Sequence, residues 1–385
     1  MRPPKSIGWF ALLLAVASAL GMSGGRYPSP YVDDWDGGVP LIGTSNTCNA
    51  ALAACSAATG RAIFRAGTYK ISPTAGTALA DSVSVSGQGI GVTILSAVAG
   101  ETGAALTAGS DNTFADFTLD GNDEATTTGL AIASSEHRLT CTRVELSDFS
   151  TGASGGNAAV NGLVYRDCKF TSNANGLSVG VASTGLVVDG GVCNGNTTNA
   201  ITLQGNPTGG LITGVTFVNE PTCIALTAST GITIRSNAFL AGTTSISLTT
   251  PVRCEIGDNY WAFDEITPAD VSGKQVSLRG TYYDTASPSG GTWLAGDQVV
   301  NRSSTTTPHT IGWMFTGSTW VAEGSAGSVD IAIDPDPIGE GEEYHLSSGS
   351  ATGIVAGDAV VWSFSGTVPD GIVIQVVATG ANTVN

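Results

Sequence analysis

The central part of this 385-residue sequence repeats in short apolar segments, and this repetition constrains the fold more than any other feature. In one row of segments, successive members lie 22 to 27 residues apart, or 47 where one repeat is passed over at Val192–Asn194. The members of this row are Leu119, Leu146, Phe170, Phe217, Phe239 and Trp261. Two further rows keep a similar spacing. They run through Leu177, Ile201, Ile224 and Ile246, and through Leu139, Leu163, Leu186, Leu211 and Ile232.

Within these segments the apolar residues lie two positions apart, which is the period of a strand with one buried face. Three such strands per repeat cannot bury an apolar face alone, but repeats stacked on one another enclose a continuous apolar column. A helical solenoid would need apolar residues three and four positions apart over ten or more residues, and that pattern is absent. We therefore predict an all-β fold, a right-handed parallel β-helix with three strands per coil.

The composition agrees with this prediction and excludes one class of partner. Charged residues make up 12 % of the chain, about half of the ~25 % found in ordinary globular proteins. Like charges stacked one coil apart would lie only about 4.8 Å from each other and repel. The net charge of −17 argues against nucleic-acid binding, which relies on clustered Lys and Arg. Carbohydrate binding depends on aromatic faces and hydrogen bonds, so it is compatible with this charge.

The seven cysteines show no spacing typical of a metal site. Four of them fall at or beside inward-facing strand positions, where a thiol acts as a small apolar side chain. These four are Cys141, Cys168, Cys193 and Cys254. Cys48 and Cys55 lie seven residues apart, about 10.5 Å along one helix, which is too far for a disulfide. We predict no disulfide framework, no metal and no cofactor.

The first 20 residues resemble a secretory signal. Arg2 and Lys5 precede an apolar run from Ile7 to Leu20, and Ala17-Ser18-Ala19 provides small residues around a cleavage site. The alternatives are an uncleaved anchor and a buried helix in an assembly. Residues 21–44 are predicted to form a linker rich in Gly, Pro and Asp.

A family resemblance begins at the next segment. A predicted helix over Asn46–Thr59, with Ser45 or Asn46 as its cap, precedes a strand and the turn Ala66-Gly67-Thr68-Tyr69. The Gly-rich stretch Ser86–Leu95 follows. Together they resemble the opening of the pectate-lyase superfamily of β-helices, although Arg65 stands where that family usually has proline. The resemblance covers residues 45–265 and implies that the helix caps the end of the solenoid. It does not imply one activity, because the family includes lyases, hydrolases, epimerases and phage adhesins.

After Trp261 the repeat ends, and we predict a linker over residues 266–290. Residues 291–325 then form a small β module containing Trp293, Trp313 and Trp320. It resembles modules that follow the β-helix in phage tail proteins, and more loosely small carbohydrate-binding modules. The three tryptophans are candidate sugar-stacking residues or core residues. Residues 326–385 resemble a terminal β-sandwich, whose last sheet is either incomplete or completed by a neighbouring subunit.

Carboxylates cluster early in the predicted solenoid. Asp120 follows the Leu119 strand, and Glu145 and Asp148 flank Leu146 one coil later. Aligning the two strands brings Asp120 and Asp148 close to one row, so the pair is a candidate acid and nucleophile of a glycosidase. The alternative is that they are turn residues, since Asp and Asn favour turns for local hydrogen bonds.

Three functions fit these features. The first is a virion-associated spike or tail fibre, a homotrimer that is attached through its N-terminus and binds host polysaccharide. The second is a secreted polysaccharide lyase or glycoside hydrolase with a carbohydrate-binding tail. The third is a structural surface protein without a ligand.

Overall fold

A computed structural model describes residues 31–32, 48–132, 137–155, 160–180, 182–272, 274–289, 291, 293–302, 309–326, 349–350, 378–380 and 383–384. The chain divides into two compact units. Unit 1 comprises residues 1–249 and 258–264, and unit 2 comprises residues 250–257 and 265–385. The predicted signal, the linker at 21–44 apart from residues 31–32, and most of the predicted terminal sandwich lie outside the described residues.

Unit 1 is a parallel β-helix built from three stacked sheets, which confirms the predicted fold. Sheet A contains Arg61–Ile63, Ser84–Ser86, Asn161–Arg166, Thr184–Asp189, Thr208–Thr213 and Thr230–Arg235. Sheet B contains Gly67–Ile71, Thr93–Ala97, Lys169–Thr171, Val192–Asn194, Thr216–Val218, Ala238–Phe239 and Tyr260–Trp261. Sheet C contains Gly103–Ala108, Asn175–Val179, Asn199–Leu203, Glu220–Thr227 and Gly242–Thr249. The long strands Thr113–Ile132 and His137–Ser154 bend through all three sheets.

The inward row of sheet B follows the sequence prediction, including the passed-over coil. Leu119 pairs with Leu146, Leu146 with Phe170, and the row continues through Cys193 to Phe217, Phe239 and Trp261. Phe239 stacks between Phe217 and Trp261, with ring centroids 5.0 and 4.5 Å away and planes within 6°. This column therefore fills the interior of the last coils with aromatic rings.

In sheet A the predicted row is displaced at one coil. We expected Leu211 to face inward, but Gly210 pairs with Leu186 and Ile232, and Ile212 is the buried residue. A Cβ atom at Gly210 would lie 3.1 Å from the Cδ1 atom of Ile232. Because the inward position is a glycine, the apolar residue beside it gave a misleading signal.

A helix closes the first coil, as the resemblance implied. It spans Asn49–Thr59 and buries Leu52 and Cys55, and Gly60 ends it in a left-handed conformation. The Asn49 side chain donates to the carbonyl of Ser72 at 2.9 Å and to Thr77 Oγ1 at 2.7 Å. These bonds hold the helix on the apolar end of the solenoid, whose open edge needs such a cap. The predicted capping residues Ser45 and Asn46 lie outside the described residues.

Unit 2 is a mixed β module. Its strands are Cys254–Ile256, Val276–Leu278, Thr281–Asp284, Gln298–Asn301, His309–Phe315 and Trp320–Ala326, and the helix Pro268–Val271 lies between the first two of them in the chain. The last three strands are antiparallel neighbours. The short strands Gly349–Ser350, Ala378–Gly380 and Thr383–Val384 form a separate sheet. The segment predicted as a linker at 266–290 thus contains a helix and two strands, because Val276 and its neighbours pack despite the many Ser, Pro and Gly residues around them.

The seven cysteines are all free and buried, in agreement with the prediction. Within the described part of the chain, no helix is long and apolar enough to span a membrane.

Candidate functional site

The outer face of sheet B carries the predicted carboxylates. Because side chains alternate along a strand, the residues on either side of each inward residue face outward. This produces two outward rows on successive coils. One contains Ile94, Thr118, Glu145, Lys169, Val192, Thr216, Ala238 and Tyr260, and the other contains Ser96, Asp120, Ser147, Thr171, Asn194 and Val218.

Glu145 is the best-connected carboxylate on this face. Thr118 Oγ1 donates to Glu145 Oε2 at 3.2 Å from the preceding coil, and Thr171 Oγ1 donates to Oε1 at 3.1 Å from the following coil. Thr118 in turn accepts a hydrogen bond from the backbone N–H of Gly91 at 2.9 Å. The carboxylate is half-buried and oriented from both sides. Lys169 occupies the next position of the same row and places a positive charge beside it.

Asp120 belongs to the second outward row, and its backbone partner on the next coil is Ser147. Its Oδ1 atom accepts the backbone N–H of Asn122 at 2.9 Å, the short-range bond typical of an Asx turn. Asp120 lies two residues along the strand from Thr118, the partner of Glu145, so Asp120 and Glu145 share one face of adjacent coils. From the strand rise and spacing, their Cα atoms are about 8 Å apart.

Asp148 occupies the adjacent corner. It adopts a left-handed conformation with φ of 62°, and its carbonyl oxygen packs on Gly121, where an added Cβ would lie 2.2 Å away. The backbone of Asp148 therefore has the geometry of a turn residue. The partner row for Asp120 contains Ser147 and, one coil further, Thr171 rather than a second carboxylate.

The outer face of sheet B becomes more apolar and aromatic towards its last coils. Its outer face carries Thr, Glu, Lys and Asn side chains first, and then Leu240 and Tyr260, which are 43 % and 63 % exposed. An exposed tyrosine combines an aromatic face with a hydroxyl group, which suits contact with the C–H face and hydroxyls of a sugar. The outer face of sheet B thus offers donors, acceptors and an aromatic surface along one line.

The predicted tryptophans are brought onto one side of unit 2. Trp293 packs edge-on against Tyr282 and Trp320, with ring centroids 5.1 and 5.0 Å away, and Trp320 also contacts Phe315 at 5.2 Å. Trp313 pairs with Val299 and Ala322 and projects from the same face as Phe315. Trp293, Trp313 and Trp320 are all half-buried, so they contribute to a small core and keep part of their surface exposed to solvent.

Sequence reasoning missed the threonines that orient Glu145 and the lysine that follows it. Thr118, Thr171 and Lys169 are ordinary strand residues, and nothing in their local sequence distinguishes them from other outward positions. The signal that identifies them is their place in the repeat, since each lies next to an inward member of the aligned row.

Comparison with known proteins identifies a matching family and solved structures that resemble this chain. A family model described as periplasmic copper-binding protein (NosD) matches residues 80–299. The Dettilon tailspike protein has a TM-score of 0.53 and 13 % identity, covering 66 % of this chain and 54 % of the tailspike. The A-module of mannuronan C-5 epimerase AlgE4 from Azotobacter vinelandii has a TM-score of 0.40 and 17 % identity, covering 66 % of this chain and 94 % of that module. No curated protein matches by sequence. The likeness to the tailspike supports the β-helix fold.

The copper in the family description can be tested against the cysteines. Copper(I) favours deprotonated thiolates or thioethers. Burial raises the pKa of Cys168 to about 11, and its thiol donates to the carbonyls of Arg166 and Cys141 at 3.4 and 3.5 Å. Burial also raises the pKa of Cys141 and Cys193 well above the usual range. Across the described ranges, no three His, Cys, Asp or Glu residues converge to hold a metal ion. The described residues therefore do not fit a copper site.

Proposed function

This chain belongs to the family described as periplasmic copper-binding protein (NosD), and on that premise we propose that it is an exported β-helix that binds polysaccharide. The family description supports export from the cytoplasm. The polymer lies along the outer face of sheet B in unit 1. The half-buried tryptophans of unit 2 form a separate candidate surface for contact with sugars.

The observation that carries this proposal is the chain of hydrogen bonds Thr118–Glu145–Thr171, which links three successive coils across the two outward rows. A polysaccharide carries hydroxyl groups at regular intervals along its length. The stacked coils carry polar side chains at regular intervals along the solenoid, so the two can form repeated hydrogen bonds. Asp120, Lys169 and the exposed ring of Tyr260 extend the same face. Oriented polar groups and an exposed aromatic ring are the features that position a ligand of many hydroxyls. The low number of cations makes a nucleic acid an unsuitable partner.

A finer form of the proposal places the protein on a virion surface, as a homotrimer attached through its N-terminal segment. The modular layout, a β-helix followed by a Trp-containing module, supports this form. Native mass spectrometry of the full chain tests it directly. A trimer that retains residues 1–20 supports the virion form, whereas a monomer cleaved after Ala19 contradicts it and favours a free exported protein.

A second candidate function is cleavage of the bound polysaccharide. It is favoured by the placement of Asp120 and Glu145 on one face of adjacent coils, because glycosidases use two carboxylates about 5–9.5 Å apart. In this candidate Glu145, held by two threonines, is one member of the pair and Asp120 is the other. Asp148 lies at the adjacent corner, in a left-handed turn conformation, and is not a member of this pair.

The experiment is affinity electrophoresis of the full chain through gels containing dextran, a neutral glucan, or alginate, a polyuronate. We expect retardation by a polysaccharide, weakened at least fivefold by Glu145→Gln and by Lys169→Ala. The matched control is Asp189→Asn, which removes an exposed carboxylate on sheet A. If the wild type is retarded by neither gel, or if the sheet B variants migrate like the control, the proposal is wrong. Release of reducing ends, abolished by Asp120→Asn, would establish cleavage.

A further inference from the structure

The last coils of sheet B carry an apolar surface at one end of the proposed glycan-binding face. Each of its members lies directly before or after an inward aromatic residue of the aligned row, so its side chain faces outward. All of them belong to unit 1. We call this surface the apolar end of sheet B, and its members are Val218, Ala238, Leu240, Tyr260 and Ala262.

The apolar end is exposed and preformed. Leu240 and Tyr260 are 43 % and 63 % exposed, and Ala262 is exposed as well. The backbone N–H groups of Leu240 and Ala262 donate to the carbonyls of Phe217 and Phe239, each at 2.9 Å, so these strand positions are fixed. Burial of apolar surface is favourable by an amount that grows with its area. A ligand with an apolar group can therefore gain affinity here without a rearrangement of the sheet.

The apolar end differs from the coils around Glu145. Glu145 and Tyr260 belong to the same outward row, and the coil steps between them add up to about 24 Å. No member of the apolar end is charged, whereas the outward positions of the earlier coils are charged or hydroxylated. These earlier positions are Thr118, Asp120, Glu145, Ser147, Lys169 and Thr171. A polymer that spans the whole face therefore meets polar groups first and apolar groups last.

Two hydroxyl groups lie beside the exposed leucine. Thr216 precedes Ala238 by one coil in the same outward row, and Tyr260 follows it by one coil. From the strand rise and spacing, the Cα atoms of Thr216 and Tyr260 are each about 8 Å from that of Leu240. A hydroxyl group can donate a hydrogen bond to a carbonyl oxygen. The apolar end thus combines an exposed aliphatic side chain with donors suited to a carbonyl group.

An acetyl ester on a sugar carries the two features that match this surface. An unsubstituted pyranose has C–H faces that can contact the ring of Tyr260, but its edges are hydroxyl groups, which gain nothing from Leu240. An O-acetyl group replaces a hydroxyl with a carbonyl, which accepts a hydrogen bond, and a methyl group, which buries apolar surface. Acetylation adds no charge, so it is compatible with the net charge of −17.

We infer that the apolar end of sheet B recognises O-acetyl groups of the bound polysaccharide. The methyl group contacts Leu240, and the ester carbonyl accepts a hydrogen bond from Thr216 or Tyr260. The inference rests on the proposed polysaccharide-binding function and names the class of polymer, an acetylated glycan. Leu240 is the residue that determines this specificity.

The test compares each polysaccharide with its own deacetylated form. Acetylated glucomannan, xylan and alginate are each treated with mild alkali, which removes the esters and keeps the polymer. Affinity electrophoresis of the full chain then measures retardation by both forms. We expect at least one acetylated polymer to bind about fivefold more tightly than its deacetylated form, because the methyl groups add apolar contact.

Substitutions at Leu240 assign this preference to the apolar end. Leu240→Ser removes the aliphatic side chain, so it should abolish the preference and leave binding of the deacetylated polymer unchanged. Leu240→Met keeps an apolar surface and should retain the preference. Val92→Ser is the matched control, since Val92 is an apolar residue of the same unit that is 47 % exposed on an early coil. The unfolding midpoint of each variant establishes that the chain has folded.

Four results would overturn the inference. They are no retardation of the wild type by any acetylated polymer, equal retardation by both forms of each polymer, a preference that persists in folded Leu240→Ser, and an oligomer in sedimentation that Leu240→Ser dissociates. In the last case a second copy of the chain covers this surface. Retardation that depends on Glu145 but not on acetylation would retain the proposed function and overturn only the recognition of acetyl groups.

Discussion

The side-chain amide of Asn196 donates to the carboxylate of Glu220 at 2.8 Å, at the end of a short buried stack that begins with Asn173. On the preceding coil, Asn173 donates to Asn196 Oδ1 at 3.1 Å. Glu220 is 1 % exposed, and its second oxygen is buried without a donor among the described residues. A carboxylate thus occupies a position in this stack where the preceding coils have an asparagine side chain.

Glu220 should make the stability of the protein depend on pH. Burial raises its pKa to about 7 from 4.5, against the opposing effect of the Asn196 hydrogen bonds. Between about pH 4.5 and 7 the folded chain binds this proton more tightly than the unfolded chain, so the contribution of Glu220 to the free energy of unfolding falls as pH rises. We expect Glu220→Gln to raise the unfolding midpoint by a few degrees at pH 8 and to leave it nearly unchanged at pH 4.

Thermal unfolding of both proteins from pH 4 to 8 measures this difference, and comparison of the two removes the contribution of other carboxylates. Glu255→Gln, at an exposed position, serves as the control. A constant difference between Glu220→Gln and the wild type across this range would contradict the prediction.

Asn196 should be among the most sensitive polar residues of the solenoid. Its Nδ2 atom also donates to the carbonyl of Phe170 at 3.0 Å, and its Oδ1 accepts the backbone N–H of Asn173 at 3.2 Å. Asn196→Ala leaves several buried groups unpaired, so we expect a loss of about 2–4 kcal/mol of unfolding free energy in urea. The exposed neighbour Asn194→Ala should cost less than about 0.5 kcal/mol. Equal effects of the two substitutions would show that the stack is not what stabilises this corner.

The aromatic column should dominate the stability of the last coils. Phe239 is fully buried between two parallel rings, and Phe239→Ala removes both stacking contacts and leaves a cavity. The expected cost is about 3–5 kcal/mol in chemical denaturation. Leu240→Ala, one residue further and 43 % exposed, is the matched control and should change stability by less than about 0.5 kcal/mol. A small effect of Phe239→Ala would mean that these coils collapse around the missing ring.

The thiols should be unreactive in the folded protein. All seven are buried, and burial raises the pKa of Cys48 to about 12 and that of Cys168 to about 11. Because the thiolate is the reactive species, a chromogenic disulfide reagent at pH 7.5 should label less than one thiol per folded chain in an hour. In guanidinium chloride it should label all seven. Rapid labelling of the native protein would indicate an opening of the solenoid that the packing does not suggest.

The sequence by itself determined the coiled architecture and which residues face the interior of the solenoid. The row of Leu119, Leu146, Phe170, Phe217, Phe239 and Trp261 and the helix that closes the first coil follow from local periodicity. A period-2 pattern repeated at constant spacing leaves one way to bury every apolar face, so the register follows from the pattern. Where the pattern was interrupted by a glycine, as at Gly210, the prediction moved by one residue.

The tertiary structure alone decided which polar groups meet. Thr118 and Thr171 reach Glu145 from coils on either side, and Asn196 meets Glu220 from the neighbouring coil. Hydrogen bonds act over about 3 Å, so a displacement of one residue or one rotamer makes or breaks them. Burial of apolar side chains tolerates such shifts, so it can be predicted from the sequence. The directional contacts of a binding site depend on the folded positions of the backbone, so they cannot.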